Sequence, residues 1–143
     1  MRTFAERLLD CETSANNEHS ASDPPVSFRV CEKLRGNLTG LMGKSGFAAL
    51  LSRALVLAGV EISWLRTMRT NADGSLDGLE EVRARLPEQQ IAEGGVVLVA
   101  RLLGLLVVFV GEDLTRVLLR RGWPELSIED LELDKGDKNE NAK

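Results

Sequence analysis

VVLVARLLGLLVVFV, residues 96–110, is an almost unbroken apolar run followed directly by Gly111, Glu112 and Asp113. Burying apolar surface is favourable by roughly 25 cal/mol per Å², so in water the rest of the chain has to cover this stretch, which makes it the centre of the core. Its fifteen residues far exceed an ordinary strand of about 5 or 6, and no turn dipeptide interrupts it, so it reads as helix. Helical spacing continues through Val110, Leu114, Val117 and Leu118, and Glu112 to Arg116 is a favourable i,i+4 pair. Arg116, Arg120 and Arg121 suit a helix carboxyl end, Gly122 suits a left-handed cap, and Pro124 prevents continuation. The expectation is one long central helix over about residues 95–121, with Gly94-Gly95 either breaking it or sitting inside it.

A transmembrane helix is the competing account. The run is short of the about 20 residues needed to span, and Arg101 near its middle would cost about 3 kcal/mol in lipid. A second segment, residues 46–69, is apolar on most sides through Phe47, Leu50, Leu51, Ala54, Leu55, Ala58 and Leu65, and Arg53 interrupts it as Arg101 interrupts the first. Arginines suit a protein core with partners better than a lipid-facing surface. Glu61 is the one acidic residue in the second segment, so Arg53, Glu61 and Arg101 form the candidate buried polar or ligand site, with Glu61 expected to pair with one of the arginines.

The remaining chain supplies shorter helices. Residues 1–12 place Phe4, Ala5, Leu8 and Leu9 on one face, an amphipathic helix too short to be stable undocked. A polar, flexible linker is expected over residues 13–23, holding the only histidine, His19, which reads as a solvated loop residue. Asp23-Pro24-Pro25 then looks like a helix start, with Asp23 as cap. The next helix runs to about Gly43, where a stop and a new start capped by Ser45 are expected. The GKS at residues 43–45 is not a phosphate loop, because the motif needs glycine where Leu38 stands and a strand where helical periodicity is found. Asn71, Asp73 and Gly74 carry turn chemistry, and Asp77 to Glu80 resembles a capping box for a short helix ending near Pro87. A last short helix is expected over residues 125–133 and a disordered tail over 134–143.

The fold expected is therefore all-α: a compact bundle of about five helices, with residues 24–133 as one domain. Its 143 residues carry a net charge of −4, so no global field attracts nucleic acid, and Arg116, Arg120 and Arg121 are the candidate basic patch. Cys11 and Cys31 have neither CxxC nor metal spacing, and no nucleophile, base and orienter can be assembled. No catalytic residue, metal or cofactor is implied. With no signal-like start, the expected location is cytoplasmic. Gly104, Val108, Gly111 and Thr115 share a side of the central helix with Arg101, a small-residue groove that together with Trp64 is the candidate packing or dimer face. The function expected is a non-enzymatic interaction or regulatory protein acting through a homodimer and unidentified protein partners. The alternatives are a small-molecule sensor with a pocket near Glu61 and Arg101, or a membrane-associated helical protein.

Overall fold

The computed structural model describes residues 2–15 and 25–126. The protein is an all-α bundle: α1 (Arg2–Ala15), α2 (Val26–Glu61), a 3₁₀ turn (Ser63–Thr67), α3 (Leu79–Arg85), α4 (Glu88–Val110) and α5 (Glu112–Gly122). Two residue pairs, β1 (Arg69–Thr70) and β2 (Leu76–Asp77), form a small antiparallel ladder between the 3₁₀ turn and α3. The short helix expected at residues 125–133 and the tail at 134–143 lie outside the described residues apart from Glu125 and Leu126, as do residues 16–23 of the expected linker, including His19 and the proposed cap Asp23, and Pro24 after it.

Helix α4 is the centre, and α2 is its main cover. A straight helix of 36 residues would measure about 54 Å. Instead Ser27, near the start of α2, and Trp64, just beyond its end, meet Gly95 and Gly94, which are neighbours on α4. The helix must therefore double back, and it does so at Gly43, whose φ of 81° and ψ of 164° are non-helical. A positive φ there is easy only for glycine. Gly43 itself, rather than a cap at Ser45, is the junction between a first arm, residues 26–42, and a second, residues 44–61.

Gly94 and Gly95 lie inside α4, and their missing side chains are the reason two neighbours fit. A Cβ on Gly94 would fall 2.8 Å from Cε2 and 2.9 Å from Nε1 of the Trp64 indole, and one on Gly95 would collide with the Ser27 side chain. The core then closes with Leu98, Leu102, Leu103 and Leu106 of α4 against Leu34, Leu38, Leu51 and Ala54 of α2, all fully buried. Phe4, Ala5 and Leu8 of α1 are also fully buried, so the amino-terminal helix belongs to this core; it extends to Ala15, beyond the expected end at residue 12.

Three further boundaries differ from the sequence reading. The long helix expected over 95–121 is divided at Gly111, with φ 93° and ψ 163°, into α4 and α5. One residue makes the junction: the Gly111 N–H still donates to Val107 at 2.9 Å, while its carbonyl accepts from the Thr115 N–H at 3.1 Å. The second apolar segment stops at Glu61 instead of Arg69, where Arg66 Nε donates back to the Gly59 carbonyl at 2.9 Å and folds the 3₁₀ turn against the helix end. Gly78, at φ 106°, occupies the cap position of α3 without a side-chain cap bond, so the Asp77 to Glu80 capping box is not formed.

The glycine contacts predict opposite signs for two substitutions in urea unfolding. Gly94→Ala should lose about 1–3 kcal/mol through overpacking against Trp64. Gly36→Ala, on a helical position with nothing within 4 Å, should gain about 0.5–1 kcal/mol.

Candidate functional site

Glu12 is the most deeply buried charged group among the described residues, with 5% of its side chain exposed. It stands on the face of α1 defined by Phe4 and Leu8, so the docking of that helix carries the carboxylate inward. Three partners from distant parts of the chain meet it. Lys33 Nζ lies 2.9 Å from Oε1, Trp123 Nε1 donates to Oε1 at 2.9 Å, and Arg29 Nε lies 3.5 Å from Oε2. The Lys33 ammonium also sits 5.3 Å from the centre of the Trp123 ring, within cation–π range. Burial pushes the Glu12 pKa up, but the hydrogen bonds from Lys33 and Trp123, with the charges of Lys33 and Arg29, outweigh it and hold the value below normal. Beside this cluster is a cavity of about 430 Å³ lined by Glu12, Phe28, Arg29, Glu32, Lys33, Leu76 and Leu79.

A second, open groove of about 610 Å³ runs between the second arm of α2 and the turn that follows it. Ser52, Leu55, Val56 and Val60 form one wall; Leu65, Arg66, Met68, Arg69 and Thr70 form the other. The Thr70 hydroxyl is buried and has no hydrogen-bond partner among the described residues.

The residues singled out from sequence are distributed differently. Glu61 and Arg101 do meet, at 2.5 Å, but the pair is nearly half exposed and is a surface bridge between α2 and α4. Arg53 is exposed and takes no part in it, so the three residues do not form a buried polar site. Neither cavity described above is lined by any of them. On α4, Gly104 and Gly111 have nothing within 4 Å of where a side chain would begin, and Val108 is 80% exposed, so among the described residues no helix packs into that groove. Thr115 is buried, its hydroxyl donating to the Gly111 carbonyl at 2.7 Å, and Trp64 is engaged with Gly94. In the basic patch, Arg116 is bound by Glu112 at 2.7 Å and Asp113 at 3.1 Å, which leaves Arg120 and Arg121 as its exposed cations.

Both thiols are held protonated. Burial, with Glu32 adding to it, raises the Cys31 pKa to about 12, and burial followed by the charge of Glu125 raises that of Cys11. Neither environment favours a thiolate nucleophile. Among the described residues no three His, Cys, Asp or Glu side chains gather in a way that could hold a metal ion.

Sequence reading passed over the Glu12 cluster, although part of its signal was present. Phe4, Leu8 and Glu12 are spaced by four, which puts the carboxylate on the apolar face of a helix. Its partners are separated from it by up to 111 residues and leave no local pattern. Comparison with protein-family models, curated proteins and solved structures finds no match.

Because the folded-state pKa of Glu12 lies below the usual 4.5, its contribution to stability is complete above that value and is lost as pH falls through the folded-state pKa. Glu12→Gln should therefore show a shallower loss of melting temperature on acidification below about pH 4.5 than the parent protein. Glu12→Ala leaves the buried Trp123 N–H without its acceptor and removes the carboxylate from Lys33 and Arg29, and should cost about 1–3 kcal/mol at neutral pH, read by urea unfolding.

Proposed function

We propose that the chain is a non-enzymatic interaction or regulatory protein that acts by associating through the outer face of α4, a second copy of the chain being its first partner. One observation carries this reading. At the carboxyl end of α4, Val108 and Phe109 are 80% and 68% exposed, and Gly104 leaves open space on the same face as Val108. Large apolar side chains standing in water next to a small-residue groove are the usual makings of a helix–helix contact. The half-exposed Glu61–Arg101 bridge stands on that face one to two turns away and supplies a polar margin. A protein acting in this way needs no cofactor, and a net charge of −4 favours protein over nucleic acid as partner. A cytoplasmic location belongs to the same proposal.

A membrane-associated reading rests on a different observation: α2 and α4 are both long and apolar enough to cross a membrane, with mean hydropathy reaching 1.4 and 2.2. Co-sedimentation with phospholipid vesicles separates the two readings.

Light scattering of the purified chain at tens of micromolar should give the mass of a dimer, and Val108→Glu combined with Phe109→Ser should give a monomer with unchanged helical circular dichroism. A parent protein that stays monomeric at that concentration contradicts the proposal.

A further inference from the structure

The groove beside the second arm of α2 has a division of chemistry along its walls. Leu55, Leu65 and Met68 are buried and make an apolar floor. Val56 and Val60, one helical turn apart and 68% and 73% exposed, extend the apolar surface to the rim. Opposite them, Arg66 and Arg69 bring two permanent positive charges, and among the described residues no carboxylate lines the groove. Arg66 commits its Nε to the Gly59 carbonyl, which fixes the stem and leaves the far edge of the guanidinium for other acceptors. Arg69 is held loosely by Asp77 across the small β-ladder, at 3.6 Å with its side chain 73% exposed.

Thr70 lines the same groove, with its hydroxyl oxygen closed off beneath the surface. The two guanidinium groups only donate, which suits an incoming acceptor with negative charge, whereas the valines at the rim and the floor beneath them suit hydrocarbon. The volume of about 610 Å³ falls in the range of small-molecule sites.

We infer that this groove binds one single-chain anionic amphiphile per protein molecule, a carboxylate or similar head group held by Arg66 and Arg69 and its alkyl chain lying along Val56 and Val60 above the floor of Leu55, Leu65 and Met68. The site is separate from the face of α4 assigned to association, so either assignment stands or falls without the other.

Titration calorimetry with the full chain tests it, using decanoate below its micelle concentration, with decanol and decyltrimethylammonium as neutral and cationic probes of equal chain length. Decanoate should bind saturably at one per chain and more tightly than either control. Arg66→Gln with Arg69→Gln should weaken decanoate about tenfold or more while changing decanol little, since charge-assisted bonds to the head group are lost and the floor is kept. Val60→Glu, at an exposed position that leaves folding intact, should abolish decanoate binding by placing a negative charge at the rim. The inference is overturned if decanoate does not saturate, if it binds no more tightly than decyltrimethylammonium, if Val60→Glu binds it normally, or if only anionic phospholipid vesicles bind and monomeric decanoate does not.

Discussion

The need to cover α4 governs the rest of the structure. This helix is 23 residues long, and Leu98, Val99, Leu102, Leu103 and Leu106 along it are fully buried. One straight neighbour would shield only one side of such a cylinder. The chain solves the problem by bending α2 at Gly43, so that both ends of that segment come to the amino-terminal half of α4, and by docking α1 onto the same helix. The bend at Gly43, the missing side chains at 94 and 95, and the apolar stripe of α1 are thus parts of one solution. Each would be a weakness in an isolated helix.

Glu12 plays a different part. Hydrophobic burial is non-directional and tolerates sliding of one helix along another, whereas a carboxylate that accepts from Lys33 and Trp123 at 2.9 Å fixes register. The same oxygen gathers the end of α1, the first arm of α2 and the residue that follows α5. Buried ion pairs are uncertain contributors to stability, but removing the carboxylate would strand the buried Trp123 N–H. The amino-terminal helix and the carboxyl-terminal end of the described chain therefore depend on each other, although α2, α3 and α4 lie between them in sequence.

The fold class was legible because the governing signal is long-range in composition and short-range in period. Fifteen apolar residues without a turn dipeptide have few alternatives to a core helix, and the repeats of three and four in α1 and α2 are unambiguous. The break at Gly111 was less legible, because Glu112 and Arg116 make the same favourable pair whether the helix continues through the glycine or starts after it. The pairing of Glu61 with Arg101 could be anticipated from charge in an apolar setting, but its exposure could not. Periodicity in a nearly all-round apolar helix does not say which side is left uncovered. The Glu12 cluster and the Thr70 groove were illegible for a simpler reason: their members come from separate elements, and only the doubling back of α2 and the turn after it bring them together.

The contact between Trp64 and Gly94 has an evolutionary consequence. The indole occupies the volume that a side chain at position 94 would need, so the sizes of the two residues form a single quantity shared between two sites. Ser27 and Gly95 share a second such quantity one residue along. In any set of descendants of this chain, bulk at 64 and 94, and separately at 27 and 95, is coupled: a lineage that acquires alanine at 94 while it keeps the tryptophan carries the overpacking cost, so the path through a smaller residue at 64 is the easier one.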